Sequence, residues 1–429
     1  LERSRSTSFF MNVNYSFMNR YLMDFNVRSD GTSKFGANKR FSTTWSVGLA
    51  WNLHNEEFMK SLGLFTNFKI RASVGNPGNQ NFDAYQAMKI YKYNVELQNM
   101  FGSSAIIDQF GNKDLDWQRT LDKNIGVDIS MLRNRIRVTL DYYYKDTDPL
   151  LISVPMPPSV GVGSINANAG RQLSWGWNGS FFGTVIQKQN MSWTLNVNFR
   201  TSKSEYRDIG DKLNKFNELG SAQSLVRYYE GASPDDMWAV PSLGIDPATG
   251  AEMFRKKDGS QTFIYSTSDE VVVGCSRPDV EGVIGSSFYY KGFSASVNFR
   301  YRLGGEVMAS ALYSKVENIS EEQIYYNQDK RALHDRWKQP GDKAKFKSIK
   351  DNSPTPMSSR FVRTENTFSG ESISMGYESS AAWIKKIGAE GVTFRAYMND
   401  IFRLSSFKEE RGTDYPFART VSFSLSLRF

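Results

Sequence analysis

Apolar and polar residues alternate with a period of two along much of this 429-residue chain, and no other feature constrains its fold as strongly. At the C-terminus Val421, Phe423, Leu425, Leu427 and Phe429 alternate with Ser422, Ser424, Ser426 and Arg428. A β-strand with one dry face has this pattern, because successive side chains point to opposite sides of the sheet. It returns in Met191 to Arg200 and in Phe293 to Arg302. Further copies run over Phe9 to Phe17, Tyr21 to Val27, Phe41 to Leu53, Phe68 to Val74, Leu121 to Met131, Ile136 to Tyr144, Trp175 to Val185 and Val392 to Met398. Weaker ones cover 283–290 and 371–379, which predicts about 13 strands of about nine residues each. Helix is expected only at Asn55 to Leu62 and after the capping-box sequence Ser320-Glu321-Glu322-Gln323, where Ile324, Leu333 and Trp337 would line one side to about residue 337.

Alternation alone also suits a water-soluble sandwich. The spacing between strands separates the two cases. Each odd-numbered gap is shorter than the gap that follows, so a meander would put about 262 loop residues at one end and about 40 at the other. Outer-membrane barrels have this asymmetry, with short periplasmic turns and long extracellular loops. Here the long ones fall at about 75–120, 201–282 and 302–370. A cation facing lipid at mid-bilayer costs about 2–4 kcal/mol, and the apolar faces carry only Lys123, at a long-loop end. The polar faces hold Asp24, Lys69, Arg71, Asp128, Asp141, Arg200, Arg300, Arg302 and Arg395, as a water-filled lumen would. Trp45, Trp51, Trp175, Trp177, Tyr142 and Tyr144 near strand ends suit interfacial girdles. The competing reading is a soluble β-rich lectin or adhesin with aromatic cross-strand pairs.

Composition excludes other classes. The longest apolar runs have four residues, as in Ala381 to Ile384, so no transmembrane helix is expected. Cys275 is the only cysteine, and His54 and His334 stand far apart, so neither a disulfide, a metal site nor a histidine triad is predicted. The net charge of +8 mixes 53 bases with 45 acids in no long run, which argues against nucleic acid. No catalytic constellation emerges, and neither an enzyme nor a cofactor is expected. Asp208, Asp211, Asn214, Asn217 and Glu218 lie close together but lack the EF-hand order and read as a solvated loop face. The chain opens at Leu1, with no initiator methionine or signal peptide, which predicts a piece of something longer.

From Tyr21 through Asp24-Phe25-Asn26-Val27-Arg28-Ser29-Asp30-Gly31-Thr32-Ser33-Lys34-Phe35-Gly36 the sequence resembles the SusC/RagA family of TonB-dependent outer-membrane transporters. The likeness continues in order through Phe68-Lys69-Ile70-Arg71-Ala72-Ser73-Val74-Gly75-Asn76-Pro77-Gly78-Asn79, Asn112 to Trp117, Asn124 to Asp128, Asp141 to Thr147 and Asn168-Ala169-Gly170. Later it includes Gly244 to Gly250, Trp337 to Asp342 and Tyr415-Pro416. The resemblance implies an all-β, antiparallel transmembrane barrel of 22 strands around a plug, of which this chain supplies the last 13 or so, the plug and the first strands lying outside it. Parity agrees: an even-numbered first strand would run toward the periplasm, as the last one does. Phe429, an aromatic closing the final strand, resembles the signal read by the barrel-assembly machinery.

The same resemblance implies a nutrient importer in the outer membrane of a Gram-negative bacterium of the Bacteroidota. Its implied substrates are oligosaccharides or oligopeptides. Its implied partners are the TonB complex, reached through the N-terminal part outside this chain, a SusD-like surface lipoprotein serving as a lid, lipid and lipopolysaccharide, the remainder of its own barrel, and a second importer–lid pair in a dimer. The alternative is a passive porin or structural surface protein on the same barrel. Trp117, Tyr228, Tyr229, Trp238 and Trp337 offer flat faces for sugar rings, with Arg227, Asp235 and Asp236 nearby to bond hydroxyls. The competing role for these aromatics is to pack the loops together or touch the lid. Lumenal Arg200, Arg300, Arg302 and Arg395 would attract anions or pair with lumenal and plug carboxylates.

Overall fold

The computed structural model describes residues 5–33, 41–77, 89–100, 102–110, 118–155, 161–162, 164–168, 170–213, 217, 224–386, 388–407 and 419–429. Thirteen long strands hydrogen-bond strictly in chain order, each antiparallel to the next wherever the pairing is defined residue by residue. All thirteen expected strands are present, most of them longer than the alternation shows. The chain divides into two units, one of Leu1–Gly179, Lys203–Asn217 and Tyr228–Ala232, the other of Ser180–Ser202, Glu218–Arg227 and Ser233–Phe429.

The first unit contains β1 (Ser6–Phe17), β2 (Tyr21–Thr32), β3 (Phe41–Asn52), β4 (Phe65–Asn76), β5 (Thr120–Met131), β6 (Ile136–Thr147) and the start of β7 (Arg171–Lys188). Register aligns the apolar faces: Phe17, Tyr21, Trp51, Ile70, Val127 and Leu140 stand in one row. A row on the other face runs through Arg71, Gly126 and Asp141. Gly126 leaves room for the ion pair beside it, since a Cβ there would push on the Asp141 carboxylate and the Arg71 guanidinium. The tight β1–β2 turn uses positive φ at Met18 and Asn19, and the β5–β6 turn at Leu132, Arg133 and Asn134, the left-handed geometry that closes twisted hairpins. Between β3 and β4, where one short helix was expected over Asn55 to Leu62, the structure has a single helical turn at Glu57–Lys60, preceded by a tighter turn at Leu53–Asn55.

The second unit contains the end of β7, then β8 (Met191–Arg200), β9 (Val280–Tyr290), β10 (Phe293–Leu303), β11 (Thr367–Ser379), β12 (Gly391–Ser405) and β13 (Val421–Arg428). Its apolar row is Trp193, Phe288, Ala295, Met375, Ala396 and Phe423. The opposite face carries Thr194, Ser287, Ser296, Ser374, Tyr397 and Ser422.

Burial separates a membrane sheet from a soluble sandwich. Interior strand residues such as Leu49 (55 %), Ile125 (55 %) and Met375 (58 %) remain open on the apolar face. A sandwich would have covered that face, and such an expanse is tolerable only against lipid. The most deeply buried large side chains, among them Phe361, Ile209, Val240, Val316, Arg227, Glu270 and Glu317, all lie in connections between the strands. Those connections carry their own sheets, which alternation did not reveal: Asp236–Ala239 with Val271–Cys275, Ser242–Ile245 with Glu252–Arg255 and Gln261–Thr262, and Glu306–Met308 with Val362–Thr364.

The continuous helix expected to reach about residue 337 does not form. Ser320 and Gln323 make the reciprocal capping bonds, Gln323 N to Ser320 Oγ at 3.3 Å and Ser320 N to Gln323 Oε1 at 3.2 Å. The turn stops at Tyr325, and a separate one forms at Arg331–His334, ahead of which the Asp329 carboxylate accepts from the amide of Arg331. A cap starts a helix but supplies no apolar face to sustain it, and Leu333 is exposed.

Candidate functional site

The residues singled out from sequence belong to the two units separately. Trp117 lies outside the described residues. In the first unit Tyr228 packs against Tyr206, ring centroids 5.6 Å apart, and Asn217 holds its main chain through both N–H and C=O, at 2.8 and 2.6 Å. Tyr229 is half-buried at the turn closed by the Ala232 amide. Asn217 is buried rather than part of a solvated face. Glu230 accepts from the amides of Asp208 and Ile209 at 3.1 and 3.0 Å, and the Ile209 amide in particular holds its carboxyl below the usual range.

In the second unit Trp238 is half-buried on Asp236–Ala239, opposite Val272, its amide bonded to Leu225 C=O. Trp337 lies over the turn Asp246–Gly250. Its indole Nε1 donates to Pro247 C=O at 2.9 Å, and a Cβ on Gly250, where φ is +75°, would sit 2.5 Å from the ring. One face of that tryptophan is therefore spent on a turn. The Asp246 carboxyl, held low chiefly by the Thr249 hydroxyl, completes the turn.

Arg227 was expected to meet substrate hydroxyls, and the structure corrects this. Its guanidinium is buried, donating twice to Glu270 at 2.7 Å and also to the carbonyls of Ser224 and Val226. Tyr265 OH joins Glu270 at 3.1 Å, and burial pushes that phenol up. Asp235 pairs with Arg277 at 2.6 Å, and Asp236 accepts from the Ser233 amide.

A second buried network escaped the sequence reading. Arg360 reaches Glu317 at 2.6 Å and Glu252 at 2.9 Å, Thr355 Oγ1 donates to Glu317 at 3.0 Å, and Ser358 Oγ to Glu252. Arg360 also stacks on Phe361 at 4.3 Å. Its carboxylate partners stand 43 or more positions away, so no local spacing marks it. The effect is to weld the β8–β9 connection to the β10–β11 connection within this unit. Carboxylates removed from water demand such partners.

Polar-face arginines are mostly paired. Arg300 Nε lies 3.2 Å from Glu371 and Arg302 Nε 3.6 Å from Glu281, which also stands opposite the exposed Arg200. Arg395 is exposed and edges a depression of 490 Å³ lined by Ser192, Thr194, Ser287, Ser296, Ser374 and Tyr397. In the first unit Arg71 bridges Asp128 at 3.0 Å and Asp141 at 2.7 Å. Among the described residues no group of three or more His, Cys, Asp or Glu side chains is placed to hold a metal ion.

Comparison with known proteins gives a consistent answer. The TonB dependent receptor-like β-barrel family matches residues 2–307. The TonB-dependent receptor P39 of Formosa agariphila is 25 % identical over 94 % of this chain and 43 % of its own length. SusC of Bacteroides thetaiotaomicron, a TonB-dependent receptor, is 26 % identical over 100 % of this chain and 44 % of its own. Among solved structures, that of the RagAB peptide transporter superposes with a TM-score of 0.78 at 21 % identity, over 94 % of this chain and 44 % of that one. The chain thus spans under half the length of these relatives. Proteins of this kind reside in the outer membrane of Gram-negative bacteria, where the open apolar face meets lipid. The sequence match, the thirteen-strand meander and the divided faces agree: the chain belongs to the TonB dependent receptor-like β-barrel family.

Proposed function

We propose that this chain is the barrel-forming C-terminal part of an outer-membrane importer of nutrient oligomers, oligosaccharides or oligopeptides, energised through TonB and working under a SusD-like lipoprotein lid. One observation carries the reading: on a membrane sheet with one polar face, the described residues of the connections after β8 and β10 fold into buried, ion-paired bodies rather than trailing as tails. Ordered loops at one end of a barrel suit the capture of a bulky ligand and the seating of a lid. The long-loop end, spanning about 75–120, 201–282 and 302–370, is extracellular in this reading. Likeness to SusC and to the RagAB peptide transporter supports import and a lipoprotein partner without choosing the substrate. Trp238, Tyr228 and Tyr229 keep part of their surface open and are the proposed ring-stacking residues, Trp117 with them; Trp337 contributes at most one face.

The test uses the full-length protein in its host. Deleting its gene should abolish growth on one class of oligomer, and so should loss of TonB or collapse of the proton gradient. Uptake that survives without an energised inner membrane would make the protein a passive porin instead.

A further inference from the structure

The short-turn end of the first unit carries an exposed apolar and basic surface that the strands do not explain. Tyr21 and Trp51, stacked at 6.2 Å, end the lipid-facing row there. Their polar tips converge on one carboxylate, with Trp51 Nε1 donating to Glu56 Oε1 at 3.1 Å and Tyr21 OH at 3.4 Å, while Arg20 pairs with its other oxygen at 3.1 Å. Glu56 thereby ties the start of the helical turn Glu57–Lys60 to the lipid-facing side of the sheet. Met59 packs inward, whereas Phe58 (58 %) and Leu62 (62 %), four positions apart on one side, stay open. The β5–β6 turn lies alongside, since Phe65 and Met131 are register partners, and it adds exposed Leu132 between the strands and Arg133 and Arg135. Lys60, Arg133 and Arg135 are exposed and have no ion-pair partner among the described residues; Glu57, in the same helical turn as Lys60, is exposed too.

We propose that this surface is an interfacial foot. Phe58, Leu62 and Leu132 dip into the boundary between phospholipid headgroups and acyl chains, and Lys60, Arg133 and Arg135 hold the phosphates of anionic phospholipid. Apolar side chains flanked by cations, continuous with a Tyr–Trp girdle, are the chemistry of interfacial membrane binding. The assignment uses the sidedness proposed above, which puts phospholipid rather than lipopolysaccharide at this end, but it does not depend on transport.

The full-length protein carrying Cys275→Ser, reconstituted into bilayers of phosphatidylethanolamine and phosphatidylglycerol, provides the test. Spin labels at Phe58→Cys and Leu62→Cys should collide with oxygen more than with a water-soluble nickel chelate, and a label at Lys60→Cys should do the reverse. The variant Lys60→Gln, Arg133→Gln, Arg135→Gln should keep its heat-modifiable gel mobility yet retain phosphatidylglycerol over phosphatidylcholine about fivefold less per charge removed, read by native mass spectrometry. Nickel-accessible labels at 58 and 62 would overturn the proposal, as would labels shielded from both reagents, which would show a protein segment on this surface. Insertion without any headgroup preference would overturn the anionic-lipid assignment.

Discussion

Arg360 holds two carboxylates that come from two different connections, Glu252 from β8–β9 and Glu317 from β10–β11, and its removal isolates both. Replacing it with methionine keeps most of the volume but leaves Glu317 and Glu252 buried without their cation. Breaking a buried pair in this way costs about 3–5 kcal/mol. Arg360→Met should therefore expose 306–366 to limited proteolysis while the strands keep their heat-modifiable mobility. Glu230 makes a milder, pH-dependent prediction. Its carboxyl is held low in the folded chain, chiefly by the Ile209 amide, so its support is present above the ordinary glutamate pKa and fades as pH falls through the lower folded value. Below about pH 4.5 the amides of Asp208 and Ile209 should exchange faster, after correction for intrinsic rates, and Glu230→Gln should exchange fast at every pH.

At the scale of the strand, the two faces predict opposite tolerances. Val47→Arg, near the middle of β3 on the lipid side, should cost about 2–4 kcal/mol. Ser46→Arg, one position earlier on the polar side, should leave urea stability in detergent nearly unchanged, and equal losses at the two sites would contradict the assignment of faces. Strands were legible because their signal is local: every second residue of β8, β10 or β13 reports which side is dry. The loop bodies were not legible, because what orders them is pairing at a distance, Arg227 with Glu270 and Arg360 with Glu317 and Glu252, and a single charged residue looks the same whether it is solvated or buried. That is why Arg227 read as a ligand-facing base. Trp337 was ambiguous for a related reason, since an aromatic that covers a glycine turn reads the same in sequence as one that covers a sugar, and the structure shows one of its faces on the Asp246–Gly250 turn. The capping box at Ser320 was real, but the helix inferred beyond it needed a packed face that only tertiary structure could supply.

Across the whole molecule, β1 and β13 are the ends of the strand order, and every residue of β1 is exposed. Unpaired N–H and C=O groups on such a strand seek another partner. If, as proposed, strands outside this chain complete the sheet, residues 1–429 expressed alone should aggregate or stay unfolded in detergent, and a compact, heat-modifiable band from the isolated chain would count against that proposal. The strictly sequential strand order has a further consequence. No long strand is threaded between two that come from elsewhere in the chain, so the sheet can be parted between neighbours at the loss of a single ladder, except between β7 and β8, where Lys203–Arg207 also pairs back on Arg171–Trp175 of β7. A sheet built this way is divisible: two polypeptides cut in the connection between β2 and β3 can rejoin edge to edge along one ladder, and complementation between separately encoded pieces becomes a practical route to studying either one.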